Sequence, residues 1–449
     1  MILISFLILI FTQIPVVEWT KTYGGSGVER CWGGCAQQTI DGGYVIAGST
    51  NSFGNGGLDV YIVKTDSLGD TIWTRTYGGL NDDECTSIQQ TNDNGYILVG
   101  CTESFDTNAI NDIYILKLNA LGDTEWTKVL GGSDYDMACG VEQTYDNGYI
   151  IAGYTYTYGV GGDVWLIKTN FHGDTLWSKL YGGSSFENAF KVRQTRDRGY
   201  IIAAMTNSYG AGSTDAWLIK TDSLGDTLWT VIYGGPNMDK ACDVLETTDT
   251  SYMVVGWTYS YGSGYDDIFI LKINKDGDTL WSKIYGHQYQ DGAYSIKETT
   301  DHCFIIAGTS EPMLGNADMY FMKVSDNGDS LWATTYGGSY NDMGWACQQT
   351  MDGGYMIAGQ TESFGSGSSD FYLVKTDSCL SYIEDKKRIL TKTNIVLPTI
   401  IRGSTFMSKN MKYNLIDIYG RKIISKNIPS GIYFIENKGE IIQKIIIIK

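Results

Sequence analysis

Hydrophobic positions along this chain follow two patterns, and neither is helical. Runs such as "YVIAGST" (residues 44–50) and "DVYIVKT" (59–65) are apolar on both faces, whereas "TIWTRTY" (71–77) alternates, with Trp73, Arg75 and Tyr77 on one side. The first kind predicts strands covered from both sides, and the second predicts a strand with one wet face. No amphipathic run at a 3.6-residue period lasts long enough to predict a helix. The polar breaks are turn chemistry: "IDGG" closes a tight hairpin, and "DSLGD" turns the chain into the alternating strand. One unit, residues 26–79, thus holds four strands: A ending in "QQT", B "YVIAGST", C "DVYIVKT" and D "TIWTRTY".

The unit recurs. Its strand-D tryptophan returns as Trp19, Trp73, Trp126, Trp177, Trp229, Trp281 and Trp332, at intervals of 54, 53, 51, 52, 52 and 51 residues. A regular period of about fifty residues with doubly covered inner strands predicts the blades of a β-propeller. The strand order resembles a kelch-like blade, with "GGYVIAG" at the glycine-led inner strand and a tryptophan on the outer one. Strands A to C occur seven times, the last set ending in "DFYLVKTD" (370–377), and no seventh strand D follows it. Residues 18–25, "EWTKTYGG", are a strand D without a blade. The expectation is an all-β, seven-bladed propeller over residues 18–378, of four-stranded repeats about 52 residues long, closed by its N-terminal strand.

Charge divides the chain. The formal net charge is −18, but residues 380–449 carry 13 Lys/Arg against 5 Asp/Glu, leaving 20 against 46 before them. The acidic body argues against nucleic acid as a partner. The apolar leader "MILISFLILIF" has the length of a secretory h-region, so residues 1–17 read as a signal peptide, the alternative being a buried first strand. No other stretch is long and apolar enough to span a membrane. Nine cysteines form no zinc-binding spacing. Five of them (Cys35, Cys85, Cys139, Cys242, Cys347) fall in strand A and read as small buried residues, while Cys85 and Cys101 are placed opposite each other across a hairpin, where one disulfide would fit.

Repeated polar residues supply the candidate chemistry. A hairpin aspartate (Asp41, Asp93, Asp146, Asp197, Asp249, Asp301, Asp352) and an aspartate opening strand C (Asp59, Asp112, Asp163, Asp215, Asp267, Asp318, Asp370) occur in every copy and read as turn caps. The lysine ending each strand C (Lys64, Lys117, Lys168, Lys220, Lys272, Lys323, Lys375) falls on the hairpin side of the disc, where exposed pairing with that aspartate is worth under about 1 kcal/mol. On the opposite face, the longer and more variable D–A and B–C loops bring two sets together. Just before strand A stand Asp83, Asp136, Glu187, Asp239, Asp291 and Asp342, with Cys31 in the first copy; the B–C loops carry Phe53, Phe105, Tyr158, Tyr209, Tyr261 and Phe364. Carboxylates ringing the channel mouth with aromatics outside them would suit a glycan, an amine or Ca²⁺. The alternative is that the acids cap the D–A turns and the aromatics pack between blades. The three histidines (His172, His287, His302) are non-equivalent, and no catalytic motif occurs, so no enzyme activity is expected.

The tail is a different text. "KYNLIDIYGRKII", "IPSGIYFIEN" and "EIIQKIIIIK" alternate as strands divided by glycine turns, predicting a small β-sandwich over residues 395–449 after a polar linker, 379–394. This tail resembles the C-terminal sorting domain of cargo of the type IX secretion system of Gram-negative bacteria. The resemblance rests on the D-x-x-G-R string at Asp417, Gly420 and Arg421, the G-x-Y string at Gly431 and Tyr433, and the Lys-bounded aliphatic end. It departs from the family in reading "LPTIIRGST" where a Pro-Asn-Pro stretch is usual. The resemblance implies passage through the periplasm, contact with the outer-membrane secretion machinery, and release or attachment at the cell surface. The function expected is that of a secreted or surface binding and adhesion scaffold for a glycan or protein, with no cofactor unless Ca²⁺. The alternatives are a carbohydrate-active enzyme using the loop-face carboxylates and a purely structural envelope protein.

Overall fold

The computed structural model describes residues 14–105 and 110–378, together with residues 399–402, 414–417, 431–437 and 440–448. Most of the expected signal peptide, the linker 379–394, Gly420 and Arg421 lie outside the described residues. Two compact units divide after Ser378.

The first unit is a seven-bladed β-propeller, and no helix occurs among the described residues. Blade two shows the plan: Asp83–Gln90, Tyr96–Thr102, Asp112–Leu118 and Thr124–Leu130 pair in chain order as one antiparallel sheet. Strands B and C are buried along their whole length, and strand D is largely wet, as their hydrophobic patterns predict. The core lies between blades. Val45 and Ile62 of blade one, for example, pack with Leu98 and Leu116 of blade two. Strand D seals each seam from outside: Trp73 meets Tyr96 of the next blade edge-on at 6.0 Å, and Trp177 meets Tyr200 at 5.9 Å. Arg75 lies over Trp73 with its guanidinium carbon 5.6 Å from the ring centroid.

The seventh sheet takes its outer strand from the N-terminus. Val17–Tyr23 pairs antiparallel with Asp370–Thr376, Trp19 opposite Lys375 just as Trp73 stands opposite Lys64 in blade one. Trp19 packs on Tyr44 of blade one at 5.5 Å, and Lys21 pairs with Asp70 at 2.7 Å as Lys128 pairs with Asp174 at 2.8 Å. A second closure runs round the hairpin face. The amide ending each strand A, or its Glu replacement, accepts the A–B turn N–H of the preceding blade: Ile40 to Gln90, Asn92 to Gln143, Tyr145 to Gln194, Arg196 to Glu246, Thr248 to Glu298 and Thr300 to Gln349. Met351 donates to Gln38 at 2.8 Å, so the last blade is latched to the first.

The seven predicted Lys–Asp pairs all form, at 2.6–3.0 Å. They differ from the expectation in one respect: the lysines are buried, and only the aspartates are wet. Cys85 and Cys101 are not opposite one another. Cys85 faces Gly100 and Cys101 faces Glu84, one residue out of register, so their side chains leave opposite faces of the sheet. The eight described cysteines are free thiols.

In the second unit, one four-stranded sheet is described, in the order Thr399–Arg402, Glu440–Ile448, Gly431–Asn437 and Asn414–Asp417. The facing layer of the expected sandwich is not among the described residues. The first pair is parallel and the others antiparallel.

Candidate functional site

The predicted acidic ring is in place along the chain but not open to a ligand. Asp83, Asp136, Glu187, Asp239, Asp291 and Asp342 each open a strand A, and none is more than 1% exposed. Each carboxylate accepts a D–A loop N–H, from Gly79, Gly132, Gly183, Gly235, His287 or Gly338, at 2.6–3.0 Å. In four blades a B–C loop hydroxyl donates to it as well, from Ser104, Thr157, Ser260 or Ser363, at 2.7–2.8 Å. The acids therefore tie two loops of their own blade together. Among the described residues no three His, Cys, Asp or Glu side chains gather as a metal-holding group. In the first blade the equivalent acid is Glu29, which accepts from Gly25 and Thr50; Cys31 is buried two residues further on.

The aromatic set sits at the loop tips. Phe53, Phe105, Tyr158, Tyr209, Tyr261 and Phe364 are 42–50% exposed. One face of five of them leans on a ring within its own blade, as Phe53 on Tyr61 at 5.3 Å and Tyr158 on Trp165 at 5.1 Å, while Tyr261 leans on Tyr233 of the preceding blade at 5.9 Å. Tyr158, Tyr209 and Tyr261 also donate their hydroxyls to the carbonyls of Gly131, Gly182 and Gly234. The histidines stay apart: His172 follows strand C of blade three, His287 lies in a D–A loop, and His302 takes a positive φ in an A–B turn. In the second unit Asp417 pairs in register with Tyr433, and Gly431 opens the same strand as Tyr433.

The concave site is the central channel, about 740 Å³, to which strand A of every blade contributes. A β-bulge shapes its wall. In blades two to seven strand A has one residue more than its partner, so Thr86, Cys139, Phe190, Cys242, Tyr294 and Trp345 are extra residues in the ladder. Such a bulge re-aims a side chain, here towards the channel that these residues line. In five of these six blades a glycine stands opposite the bulge, and a Cβ at Gly100 would meet the carbonyl oxygen of Glu84 at 1.8 Å; blade four has Ala204 at that place. In blade one the strand breaks into Glu29–Arg30 and Ala36–Gln38, and the intervening loop puts Trp32 into the channel.

Two layers result. Nearer the loop face lies an aromatic one: Tyr294 and Trp345 at 4.3 Å, Trp32 and Trp345 at 5.5 Å, and the Lys240 ammonium 4.8 Å from the Trp257 ring. Up to three positions further along strand A, roughly 10 Å deeper at the rise of a strand, lies a charged one. Arg193 Nη2 donates to both oxygens of Asp243, at 3.0 and 3.1 Å, and the N–H groups of Val244 and Ile296 donate to the same carboxylate. Burial pushes the Asp243 carboxyl up, but Arg193, Lys191 and Lys297 outweigh it and hold the group below the usual range. Glu142 accepts the Gln194 N–H, and burial raises its carboxyl. Lys191 and Lys297 have no hydrogen-bond or ion-pair partner among the described residues, although Asp243 attracts both. The charge of Arg193, followed by burial, brings Lys297 down to about 8, and burial lowers Lys191.

Sequence reasoning missed this set because it looked for residues common to all copies. The channel residues are those that vary where the copies otherwise agree. Lys191 and Lys297 replace the small or amide residues Ser87 and Gln89, and the bulge position runs from Thr to Trp. The signal available was strand A itself, eight residues against seven in strand B in blades two to five and seven.

No family model matches the chain, and no curated protein is similar to it. Solved structures do match. A fungal alcohol oxidase of the AA5 family, in complex with copper, is 12% identical with a TM-score of 0.50, 96% of this chain and 98% of that chain being covered. Drosophila Plexin A in complex with Semaphorin 1b is 7% identical, covering 81% and 88%, at a TM-score of 0.45. The Neurospora crassa Pan2 WD40 domain is 8% identical, covering 78% and 89%, at 0.43. At these identities the likeness is one of architecture: this chain is a seven-bladed β-propeller followed by a second unit.

Proposed function

We propose that this protein is a secreted or surface-displayed binding scaffold rather than an enzyme, and that its ligand enters the central channel from the loop face. The observation that carries this reading is the channel itself. Its volume falls in the range of ligand sites, and its walls are aromatic with a few polar groups behind them. The carboxylates repeated from blade to blade, which an enzyme of the loop face would use, are engaged by their own loops. The test is binding of the full chain to arrays of glycans and surface proteins, beside Trp345→Ala and Tyr294→Ala. A ligand retained by the wild type and lost by both variants supports the reading. A ligand held equally well by all three places binding elsewhere.

Export by the type IX system is part of the same proposal. It is supported by the acidic body joined to a basic tail, and by the D-x-x-G-R and G-x-Y strings. Removing residues 395–449 is expected to leave the propeller in the periplasm. Export at the wild-type level would refute the sorting role.

A further inference from the structure

The channel holds an excess of uncommitted hydrogen-bond donors. The ammoniums of Lys191 and Lys297 have no partner among the described residues. Arg193 Nε and Trp345 Nε1, and beside the channel the hydroxyl of Ser87 between the lining residues Thr86 and Ile88, are buried without a hydrogen-bond partner. Lys191 and Ser87 converge from different blades on the backbone of Gly34. A Cβ there would come within 2.8 Å of the ammonium and 3.0 Å of the hydroxyl. The carboxylates nearby are already taken, Asp243 by Arg193 and two N–H groups, Glu142 by Gln194. Unpaired buried donors are costly, and two half-buried cations of like charge facing one channel without a partner add to that cost. This cost is relieved by a ligand that brings acceptors and negative charge.

The aromatic layer sets the rest of the ligand. Tyr294 and Trp345 offer a tilted pair of rings, and such faces suit the apolar side of a sugar ring. The surrounding body is strongly acidic, 46 Asp/Glu against 20 Lys/Arg before residue 380, which repels long polyanions. A short ligand placing one or two charges deep in the channel avoids most of that repulsion, since exposed charges beyond about 8 Å are screened at physiological salt. We propose that the channel takes an anionic saccharide, its ring against Tyr294 and Trp345 and its carboxylate or sulfate on Lys191, Lys297 and Arg193. This rests on the reading of the channel as the binding site.

The experiment is calorimetric titration of the full chain with an oligogalacturonide, a sulfated galactose oligomer, a neutral galactose oligomer and a short oligoglutamate. One of the acidic saccharides is expected to bind at least tenfold more tightly than the neutral one and the peptide. Which of the two binds identifies the oxyanion. Lys191→Gln and Lys297→Gln are each expected to weaken it at least tenfold, with melting temperatures at or above wild type. Equal binding of the neutral sugar, equal binding of oligoglutamate, unchanged affinity in both lysine variants, or no binding of either acidic saccharide would each overturn the assignment. If Trp345→Ala abolishes binding of a sugar that Lys297→Gln holds normally, the anion assignment falls while the channel remains the site.

Discussion

Near the end of each strand C a buried lysine pairs with its hairpin aspartate, and in five blades its ammonium also donates to the carbonyl next in the chain, as Lys220 does to Thr221. Glycine makes this possible in most blades: a Cβ at Gly199 would lie 2.7 Å from Lys220 Nζ. The pairing was legible from spacing. The burial was not, because a lysine's cover comes from glycines and strands of no fixed sequence offset. The difference changes the energetics, since removing the aspartate strands a buried cation. Asp197→Ala is expected to cost about 1–3 kcal/mol in chemical unfolding, more than an exposed pair would. Burial pushes these aspartates up, but the lysine, threonine and backbone hydrogen bonds outweigh it and hold them below the usual carboxylate range. Their contribution is therefore present above pH 4 and lost as pH falls through the depressed values. Asp266 behaves oppositely. Burial, with Asp291, Asp267 and Glu311 nearby, raises it to about 6, so stability is lost as pH rises from 4 through 6. Asp266→Asn should raise the melting temperature at pH 7 and change it little at pH 4; a lowered value at pH 7 would contradict this.

Strands were read correctly from their hydrophobic patterns, and the order of the blade followed from turn chemistry. The closure of the ring by residues 18–25 was legible because the seventh copy stops after strand C. Trp19, Lys21 and Tyr23 then repeat the contacts of other outer strands, down to the Tyr23 hydroxyl donating to the Gly69 carbonyl at 2.7 Å. What the pattern hid was the bulge in strand A. Register belongs to a pair of strands, so the extra residue shows only against its partner, and the Cys85–Cys101 placement erred by that one residue. Deleting residues 18–25 should lower stability by several kcal/mol, on the order of a lost buried strand. Trp19→Ala should reproduce much of that loss, as Trp177→Ala should at its own seam; aromatic truncations in cores typically cost about 3–5 kcal/mol. A melting curve unmoved by the deletion would refute the closed ring.

At the scale of the whole molecule, the reading of the repeated acids as caps of the D–A turns fits the geometry, and the reading of them as an open ring does not. The acidity that suggested a carboxylate-rimmed mouth is structural, with each acid buried under its own loops, while the channel behind them carries Lys191, Arg193 and Lys297 against Asp243 and Glu142. Repetition reveals what a blade needs; departures from repetition reveal what the ring does. Binding of an anion by Lys297 should weaken as pH rises through about 8, where that group loses its proton because Arg193, burial and Lys191 outweigh the opposing pull of Asp243 and Cys347. It should also weaken with salt less steeply than a surface ion pair. The decisive comparison sets a channel variant, Lys191→Gln with Lys297→Gln, against a loop-tip variant, Phe53→Ser with Tyr209→Ser, in one titration with the acidic saccharide that binds. The channel account predicts a loss of a hundredfold or more in the first and affinity within threefold of wild type in the second. The reverse order would contradict it.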